Sequence, residues 1–399
     1  MRSGGMARHK MIKVVHIIGA RPQFIKYYPV SKAIDNFNGL SRGVIENILV
    51  HTGQHYDYNM SRVFFDELGI QEPHYHLNVG SGTQGYQTGQ ILQKVEEVLL
   101  NENPDTLVVY GDTNSTLGGA LAAVKLHIPV AHIEAGLRSY NKYMPEEINR
   151  INTDHVSSVL LCPTEVSVAN LRKEGFSYVG NNGKLLAGDF DFSSYAASPS
   201  QPVVFNVGDV MCDVLNFAVE KASRVSRILE ELNLVEKVYG VMTLHRAENT
   251  DNPDRLRSIV DFSNEVTAGR EIIFPVHPRT KKAIRNLQKG FAGNIRMAEP
   301  LGYFDMIWLL KNSAIALTDS GGLQKEAYWL KVPCITLRDE TEWVETVQSG
   351  WNILYKDYKK SHEPETSITA YGDGNAAERI VRALVNTIGK EKEWTLKGK

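Results

Sequence analysis

The sequence predicts an α/β protein built from two Rossmann-like domains that face a cleft. Three observations lead to this prediction. The chain has 399 residues, which is too long for one ordinary core and fits two domains of roughly 180–200 residues each. Short apolar runs rich in β-branched residues alternate with longer amphipathic segments, as in parallel α/β sheets. A segment rich in Gly, Asn and Ser divides this alternating pattern into two consecutive sets.

The apolar runs mark the expected strands. In the first domain they are Val14–Ile18, Ile45–His51, Thr106–Tyr110, Pro129–Ile133 and Val159–Cys162. In the second domain they are Val238–Leu244, Glu271–Val276, Ile295–Ala298, Ala314–Thr318 and Val332–Leu337. Amphipathic stretches such as Gln87–Leu100 and Pro253–Ala268 are expected to form helices between them. Because ligands of open parallel sheets bind beyond the carboxyl ends of the strands, polar side chains at those ends are the candidates for chemistry.

The domain boundary is predicted within a helix-breaking segment. Residues Gly180–Ser200 are rich in Gly, Asn, Ser and Ala, and the stretch Ala196–Pro202 contains two prolines. Such residues interrupt helices and mark turns and linkers. We therefore place the first domain at residues 11–200 and the second at residues 203–375, with a helix at Met211–Leu232 opening the second domain.

Charge and hydropathy argue against two classes of partner. The formal net charge is −2, which gives no electrostatic support to binding of nucleic acid or of a membrane surface. No apolar run approaches the roughly 18–20 residues needed to span a bilayer, and the polar, basic residues Met1–Lys10 do not resemble a secretory signal. Cys162, Cys212 and Cys334 lie far apart in apolar stretches, which favours free buried thiols in a reducing compartment. We therefore expect a cytoplasmic protein, and the histidine spacing predicts no metal site.

The first expected strand is followed by a candidate anion site, Gly19–Lys26 (Gly-Ala-Arg-Pro-Gln-Phe-Ile-Lys). Glycine allows a tight turn, and Pro22 suits the first helical position. Arg21 and Lys26 would flank a helix N-terminus, where free N–H groups favour an anion such as a diphosphate. A surface arginine and lysine at a solvated helix start is the alternative, and this segment alone leaves both open.

The second domain contains a comparable segment, Thr318–Glu326 (Thr-Asp-Ser-Gly-Gly-Leu-Gln-Lys-Glu), directly after an expected strand. Ser320, Gly321 and Gly322 can form a backbone anion site at the start of the next helix. Glu326, near the first turn of that helix, is placed to reach a ribose diol. The alternative is an ordinary serine N-cap with glycine in the turn.

Three carboxylates follow expected strands of the first domain. Asp112 lies in Tyr-Gly-Asp-Thr, Glu134 in His-Ile-Glu-Ala-Gly-Leu-Arg and Glu146 in Pro-Glu-Glu-Ile-Asn-Arg. If they gather at one site, their mutual repulsion raises at least one pKa, which suits a group that exchanges a proton. Glu146 and Glu147 are adjacent on an expected helix, about 100° apart around its axis, so one of the two should face the site. Arg150 is one turn beyond Glu146 and is expected to hold it, although such a pair alone is more often a solvated salt bridge.

Two histidines of the second domain occupy comparable positions. His245 lies in Leu-His-Arg-Ala-Glu-Asn and His277 in Val-His-Pro-Arg, both at expected strand ends. A single histidine at a strand end is more often structural. Each of these two is followed within two residues by an arginine, which favours an anionic ligand. We therefore expect His245 and Arg246 at a diphosphate and His277 on the same wall.

In this order the segments resemble the non-hydrolysing UDP-N-acetylglucosamine 2-epimerases over nearly all of residues 11–388. The matching segments also include His51–His55 (His-Thr-Gly-Gln-His), Gly111–Thr113 (Gly-Asp-Thr) and Tyr371–Gly374 (Tyr-Gly-Asp-Gly). Each is modest alone, but their order is highly specific. The resemblance implies a fold of the glycosyltransferase-B type. In that fold a final segment, here residues 376–399, carries a helix that crosses back onto the first domain.

The resemblance also implies a reaction. UDP leaves C1 of the sugar, a base removes the acidified C2 proton, and UDP re-adds to the 2-acetamidoglucal after reprotonation from the opposite face. The implied acid/base set is Asp112, Glu134 and Glu146, and His245 is essential near the diphosphate. The implied substrate-binding residues are Arg21, Lys26, Arg138, Arg150, His277, Ser320, Gly321, Gly322, Glu326 and Arg338. The reaction needs no cofactor, and the implied assembly is a homodimer.

Departures from the family pattern bear on the substrate. Gln23 stands where the family usually has glutamate, and Thr341–Glu345 reads Thr-Glu-Trp-Val-Glu in place of Thr-Glu-Arg-Pro-Glu. With Asn206–Met211, these variants resemble the branch that acts on UDP-2,3-diacetamido-2,3-dideoxyglucuronate for surface polysaccharides. The expected substrate is this uronate or UDP-N-acetylglucosamine. A glycosyltransferase of the same fold and a hydrolysing 2-epimerase are the alternatives, because all of these bind UDP-sugars.

Overall fold

The computed structural model describes residues 11–41, 45–54, 71–198, 200–287, 290–360, 364 and 369–388. The chain folds into two compact units. The division falls after Val214, and the chain returns to unit 1 at Ala370. Within the described ranges, no helix is both long enough and apolar enough to cross a lipid bilayer.

Strands and helices alternate along both units. The strands are β1 (Ile12–Ile18), β2 (Ile45–His51), β3 (Tyr75–His76), β4 (Thr106–Tyr110), β5 (Val130–Ile133), β6 (Val159–Cys162), β7 (Val203–Asn206), β8 (Gly240–Thr243), β9 (Ile272–Pro275), β10 (Ile295–Ala298), β11 (Ile315–Thr318), β12 (Cys334–Thr336) and β13 (Asn352–Leu354). The helices are α1 (Arg21–Ser41), α2 (Gln84–Glu102), α3 (Asn114–Lys125), α4 (Pro145–Val156), α5 (Glu165–Lys173), α6 (Val210–Val225), α7 (Ile228–Glu231), α8 (Ala247–Thr250), α9 (Pro253–Val266), α10 (Pro278–Arg285), α11 (Tyr303–Lys311), α12 (Gly321–Trp329), α13 (Val344–Gln348) and α14 (Ala376–Ile388).

The two sheets share one strand order. In unit 1 the order is β3-β2-β1-β4-β5-β6-β7, and in unit 2 it is β10-β9-β8-β11-β12-β13. Neighbouring strands pair in parallel in both sheets. In each unit the first strand lies beside the fourth, so the direction in which strands are added reverses between them. Rossmann-like sheets bind their ligands at this switch point. The loops after β1 and β4, and those after β8 and β11, are therefore where functional residues are expected.

The central strands are buried on both faces. Val15 and Ile17 of β1 share one apolar cluster with Leu107 and Val109 of β4, packed against Ile91 of α2. Strands covered by helices on both faces read as continuous apolar runs in the sequence. This is why the runs predict the central strands well. Each such side chain contributes about 1.5–3 kcal/mol to stability by leaving water.

Unit 1 extends beyond the boundary predicted at residues 200–203. Strand β7, residues 203–206, pairs in parallel with β6 and so belongs to the first sheet. Phe192 and Tyr195 of the preceding loop pack on Phe205 of this strand, with ring centroids 5.2 and 5.3 Å apart. The Gly- and Ser-rich composition therefore marks a loop anchored within unit 1. The division itself falls inside α6, where no Gly or Pro signals it.

Helix α14 belongs to unit 1, where it packs against α1. Its first turn is capped by Asp213, whose carboxylate accepts hydrogen bonds from the N–H groups of Ala376 (3.2 Å) and Ala377 (2.9 Å). A carboxylate at this position satisfies N–H groups that the helix itself cannot bond. The cap fixes where the returning chain enters unit 1.

A substitution at Gly136, in the loop after β5, tests the local packing of unit 1. The φ of Gly136 is +79°, and a Cβ at this position would lie 2.4 Å from the carbonyl oxygen of Ser167. We expect Gly136→Ala to lower the free energy of unfolding by about 3 kcal/mol, measured by urea denaturation, because both the backbone conformation and a fixed oxygen oppose a side chain. Gly175→Ala is the matched control. Its φ is +100° but no atom lies within 4 Å of the added Cβ, so it should cost only about 1 kcal/mol. Equal losses in the two variants would contradict the predicted clash.

Candidate functional site

In unit 1 the buried side chain of Gln23 joins the loops after β1 and β4. Its carboxamide oxygen accepts hydrogen bonds from the N–H groups of Gly19 (2.8 Å) and Ala20 (3.1 Å). Its nitrogen donates to the carbonyl oxygen of Tyr110 (2.8 Å) and to the hydroxyl group of Thr116 (3.0 Å). The sequence predicts free N–H groups for a diphosphate at this turn, but these two are already bonded within the protein.

Lys26 lies in an ion pair beside a predicted catalytic carboxylate. Its ammonium group contacts the carboxylate of Glu134, and the two side chains are only 11% and 8% exposed. The sequence predicts Lys26 at a diphosphate. It does not predict the ion pair, because helix geometry alone does not reveal a partner 108 residues away. The side chain of Arg21, the other cation predicted in this segment, lies outside the described part of the structure.

Asp112 follows β4 and is held by two side chains of α4. Arg150 Nη2 donates a hydrogen bond to Asp112 Oδ2 at 2.7 Å. Asn149 Nδ2 donates to the backbone carbonyl of Asp112 at 2.9 Å and to Asn114 Oδ1, at the start of α3, at 3.1 Å. The side chain of Asp112 is 31% exposed whereas that of Arg150 is 5% exposed. The carboxylate is therefore the part of this pair that an incoming ligand would meet.

The charges around Asp112 set its affinity for a proton. Burial raises the pKa of Asp112, the guanidinium of Arg150 lowers it, and the carboxylate of Glu134 raises it again. Smaller effects come from Lys26, which lowers this pKa, and from Glu146, which raises it. The net pKa of Asp112 lies above its usual value, which suits a group that both takes and gives a proton. We call Lys26, Asp112, Glu134 and Arg150 the acid cluster.

Glu134 has a strained backbone. Its φ is +74°, in the left-handed region that residues other than glycine rarely adopt. Its N–H group donates to the carbonyl oxygen of Leu161 on β6 at 3.0 Å, which ties the strained residue to the sheet. Strain of this kind persists only where the surrounding structure fixes it, and it is frequent at functional sites.

The structure distinguishes the adjacent Glu146 and Glu147. Glu147 is buried, and its carboxylate accepts hydrogen bonds from the N–H and hydroxyl groups of Ser139 at 2.9 and 3.0 Å. Glu146 is exposed. Arg150 pairs with Asp112 (2.7 Å) and Glu147 (3.3 Å), although the helical spacing predicts Glu146 as its partner. The spacing argument fails here because the inward face of α4 carries Glu147 and Arg150 together.

Arg138 is predicted to bind substrate, but its guanidinium group is bonded within unit 1. It donates to Asp154 Oδ2 at 2.7 Å, to both carboxylate oxygens of Glu174 at 2.7 Å and to the carbonyl oxygen of Leu137 at 2.6 Å. Its side chain is 1% exposed. These partners and this burial argue against the predicted contact of Arg138 with substrate, which stays a prediction.

In unit 2 the loops after β8 and β11 meet at Asp319. This fully buried carboxylate accepts hydrogen bonds from the N–H groups of His245 (3.0 Å) and Arg246 (2.9 Å) and from Asn249 Nδ2 (3.0 Å). His245 Nδ1 lies 3.0 Å from Asp319 Oδ1, and the imidazole ring is 53% exposed. Asp319 thus fixes one ring nitrogen of His245 and leaves the other directed away from it.

The charge state of Asp319 follows from these contacts. Burial alone would raise the pKa of Asp319, but the hydrogen bond and charge of His245, the N–H group of Arg246 and the amide of Asn249 leave it below its usual value. Asp319 is therefore an anion at neutral pH. The stability that it contributes is present above the carboxyl pKa of the unfolded chain and is lost as the pH falls through the lower pKa of the folded state.

For the UDP-sugar reaction that the resemblance implies, we expect Asp319→Asn to lower turnover about 100-fold with little change in affinity for UDP, because the imidazole loses the anion that fixes its orientation and tautomer. Steady-state kinetics and calorimetric titration with UDP measure the two quantities. Asp254→Asn is the control, since Asp254 is an exposed carboxylate of the same unit, paired with Arg257 at 2.9 Å. Wild-type turnover in Asp319→Asn would show that the contact does not position His245.

Ser320 caps α12. Its hydroxyl group accepts a hydrogen bond from Leu323 N at 3.4 Å, as the N-cap alternative predicts. By helix geometry, the N–H groups at the start of a helix have no carbonyl partner within that helix. Gly321 is partly exposed and Gly322 is exposed. A Cβ on Gly321 would lie 3.1 Å from Glu342 Oε1 and 3.8 Å from Arg246 Nη2. The predicted anion loop and Arg246 therefore come together at the carboxyl end of the second sheet.

Trp343, one of the departures from the family pattern, also lies at this loop. A Cβ on Gly321 would be 3.1 Å from its indole nitrogen. The ammonium group of Lys325, on α12, lies 3.8 Å from the centroid of the Trp343 ring, which is a cation–π contact. An aromatic side chain thus stands beside the predicted nucleotide loop where the usual family segment has arginine.

Glu326 and Arg338 are more enclosed than the sequence suggests. Glu326 is buried, and the hydroxyl group of Tyr303 donates to Glu326 Oε1 at 3.4 Å. Arg338 Nη1 donates to Glu342 Oε2 at 2.9 Å, and the Arg338 side chain is 4% exposed. Burial of Arg338 in this ion pair argues against the predicted direct contact with substrate.

His277 is exposed and lies at the N-cap of α10. Its Nδ1 accepts a hydrogen bond from Arg279 N at 3.3 Å. Thr280, on the first turn of α10, donates to the carbonyl oxygen of Leu244 at 2.8 Å. The loop after β9 is therefore fixed beside the loop that carries His245, as the sequence predicts from the two strand ends.

The sequence pattern does not predict the residues that hold the site in place. These are Asp319, Asn149 and Gln23, the last through its hydrogen bonds to the loops after β1 and β4. Asp319 carries a usable signal, because it is an acidic residue directly after β11, the strand paired with the one that leads to His245. The other two act through partners far away in the chain, which one sequence does not show.

Known proteins resemble this chain over nearly all of its length. The family model described as UDP-N-acetylglucosamine 2-epimerase matches residues 40–385. A UDP-N-acetylglucosamine 2-epimerase homolog of Methanococcus maripaludis is 47% identical over 94% of this chain and 100% of its own length. UDP-2,3-diacetamido-2,3-dideoxy-D-glucuronate 2-epimerase of Pseudomonas aeruginosa is 45% identical over 94% of this chain and 99% of its own length.

A solved structure gives the same result. The crystal structure of Methanocaldococcus jannaschii UDP-GlcNAc 2-epimerase in complex with UDP-GlcNAc and UDP superposes with a TM-score of 0.75 at 40% identity, covering 94% of this chain and 99% of that chain. Two parallel α/β units of the glycosyltransferase-B type, predicted above, are thereby confirmed. The match to the family model and the identity to full-length relatives agree with the order of the sequence motifs. The chain belongs to the UDP-N-acetylglucosamine 2-epimerase family.

Proposed function

We propose that the protein inverts C2 of a UDP-linked N-acetylamino sugar by eliminating and re-adding UDP, without hydrolysis. The observation that carries the proposal is the acid cluster at the switch point of unit 1, where Asp112 and Glu134 lie among cationic partners. The raised pKa of Asp112 supports a role in proton transfer. Membership of the epimerase family and relatives with that name support the reaction class.

The chemistry explains why such a cluster is needed. The C2 hydrogen has no neighbouring carbonyl group, so simple deprotonation is unfavourable. As the C1–O bond breaks, its electron pair leaves with UDP and C1 gains oxocarbenium character, which acidifies C2. A carboxylate takes the C2 proton, and the C–H electrons form the C1=C2 bond of a 2-acetamidoglucal. A proton is then delivered to the opposite face of C2, and UDP adds back to C1.

The residues divide into two groups of roles. We assign proton transfer to Asp112, Glu134 and Glu146, which can serve the two faces of the sugar. Of these, Glu146 is exposed and acts on the pKa of Asp112 through its charge. We assign binding of the departing diphosphate to His245 and to the loop that begins at Ser320. These groups supply hydrogen-bond donors where negative charge develops on the leaving group.

Two substrates fit this proposal, UDP-N-acetylglucosamine and UDP-2,3-diacetamido-2,3-dideoxyglucuronate. The branch that uses the second substrate is favoured by Gln23 and Trp343, which depart from the usual family residues. The 45% identity to the Pseudomonas aeruginosa enzyme named for that uronate supports the same branch. A product of either reaction would be an N-acetylated manno-configured sugar for surface polysaccharides.

Incubation with each substrate in D₂O, followed by proton NMR, tests the proposal. The expected result is loss of the C2 proton signal and growth of the second epimer to an equilibrium mixture. A glycosyltransferase would leave C2 unexchanged and transfer sugar only when an acceptor is present. A hydrolysing epimerase would release free sugar and UDP irreversibly. An unexchanged C2 with both substrates would overturn the proposal.

The location and assembly of the protein are further parts of the proposal. All three cysteines are free and buried, which is typical of proteins from reducing compartments such as the cytoplasm. The family resemblance favours a homodimer. Light scattering during size-exclusion chromatography measures the assembly, and a mass of one chain across the working concentration range would contradict the dimer.

A further inference from the structure

His132 lies fully buried on β5, two residues before Glu134. Its Nε2 is 2.7 Å from the carbonyl oxygen of Gly111, and its Nδ1 is 2.7 Å from Asp154 Oδ1. A carbonyl oxygen can only accept, so Nε2 must carry a proton. The contact between Nδ1 and Asp154 Oδ1 is therefore a second hydrogen bond of the same ring, to a side chain that is also fully buried.

The second carboxylate oxygen of Asp154 is held by two further donors. The residue is fully buried on α4, and its Oδ2 accepts hydrogen bonds from Gly136 N at 3.1 Å and from Arg138 Nη1 at 2.7 Å. His132 Nδ1 lies on Oδ1, so both oxygens of Asp154 have hydrogen-bond partners. Burial alone would raise the pKa of Asp154, but the charges and hydrogen bonds of His132 and Arg138 hold it below its usual value. The interior of unit 1 therefore contains a fully buried, hydrogen-bonded His132–Asp154 pair.

A line of alternating charges connects this pair to the surface. Arg138 bonds Asp154 on one side and both oxygens of Glu174 on the other, and Glu174 Oε2 lies 3.1 Å from His155 Nε2. The neighbouring thiol, Cys162, stays neutral because burial raises its pKa. We call His132, Asp154, Arg138 and Glu174 the charge line.

The charge line touches the backbone next to both candidate acid/base residues. His132 holds the carbonyl group of Gly111, which directly precedes Asp112. Asp154 holds the N–H group of Gly136, two residues after Glu134. Gly111, Glu134 and Gly136 all have positive φ, at +62°, +74° and +79°. The two loops that carry Asp112 and Glu134 are thus fixed by one buried His132–Asp154 pair.

We propose that the charge line is a positioning device that sets the geometry of Asp112 and Glu134 relative to each other. This inference rests on the proposed function, in which those two residues transfer the C2 protons. Burying two charges costs free energy that an apolar pair would not require. We attribute this cost to the positioning of Asp112 and Glu134, since proton transfer is sensitive to displacements of about 1 Å. His132 and Asp154 do not themselves meet the sugar in this scheme, because both are fully buried.

His132→Gln is the first test, because a glutamine amide cannot bond Gly111 O and Asp154 Oδ1 with the geometry of the imidazole ring. We expect the rate of C2 exchange in D₂O to fall about 100-fold, while affinity for UDP stays within about threefold of wild type. In the wild type, nitrogen-15 NMR of histidine-labelled protein should show a His132 signal with hydrogen bonds at both ring nitrogens, and this signal should be lost in the variant. Unchanged exchange would overturn the inference. So would a parallel loss of exchange, UDP affinity and thermal stability, which indicates general loosening of the fold.

Glu174→Gln tests the outer end of the line at the surface, where the fold tolerates substitution. We expect C2 exchange to fall about fivefold with unchanged UDP affinity. Lys173→Gln, at the exposed last residue of α5 directly before Glu174, should exchange at the wild-type rate. If His132→Gln does not fold, wild-type exchange in Glu174→Gln overturns the inference by itself. Wild-type protein that exchanges with neither substrate refutes the proposed function, whereas exchange in wild type that persists in the variants refutes only the positioning role.

Discussion

Asp112→Asn is expected to lower the rate of C2 exchange about 10³- to 10⁴-fold, the largest effect of any single substitution in unit 1. Asparagine keeps the shape of the side chain and an oxygen for the hydrogen bond from Arg150, but it cannot take or give a proton. Affinity for UDP should change little, because the loops assigned to the nucleotide lie in unit 2. Exchange in D₂O and calorimetric titration with UDP measure the two effects separately.

The variant should also fold. The pKa of Asp112 is raised in the folded state, so the folded protein favours the protonated form of this group. Its ionisation therefore costs stability as the pH rises past the carboxyl pKa of the unfolded chain, and a neutral amide removes that cost. Asp105→Asn is the matched control. Asp105 precedes the same strand, β4, and accepts a hydrogen bond from Lys13 N at 2.9 Å. C2 exchange in Asp112→Asn within tenfold of that control would remove Asp112 from the reaction.

The sequence predicts the positions of the chemistry because the fold determines them. Parallel strands buried on both faces produce apolar runs, and the runs end where ligands bind. The residue pattern alone places Asp112, His245 and Ser320 at strand ends. The structure shows that these ends belong to β4, β8 and β11, which flank the switch points of their sheets. The pattern does not reveal β7 or the edge strands β3 and β13, of two and three residues, because they are too short or too close to a breaker to form a distinct run.

The partners of the functional residues are harder to predict. Lys26 and Glu134 are 108 residues apart, and no local pattern distinguishes a lysine that binds phosphate from one that pairs with a carboxylate. The same limit applies to Arg138, which has ion-pair partners on two different elements. In each case the side chain is a cation that suits an anionic ligand, but the anion that it contacts is a carboxylate of the protein itself. Helical spacing also misleads where two acidic residues are adjacent, because it does not determine which of Glu146 and Glu147 faces inward.

Lys26→Met should lower C2 exchange about 100-fold at neutral pH and move the acidic limb of the pH profile to higher pH. The ammonium group pairs with Glu134, and its charge lowers the pKa of Asp112. Without it, two carboxylates repel each other with one fewer cation between them, so the base becomes protonated at a higher pH. Loss of one positioned charge in a partly buried site typically costs about 100-fold in rate. The dependence of exchange on pH in D₂O buffers measures both effects.

Lys32→Met is the matched control, because Lys32 lies on the same helix, is 51% exposed and lies 3.9 Å from Asp35. It makes the same chemical change without touching the acid cluster. Its pH profile and rate should follow those of the wild type. A lysine that binds the diphosphate, as the sequence alone suggests, predicts a different outcome for Lys26→Met: weaker UDP binding with an unshifted acidic limb. A shifted limb with unchanged UDP affinity therefore assigns Lys26 to the carboxylates, and the opposite result returns it to the nucleotide.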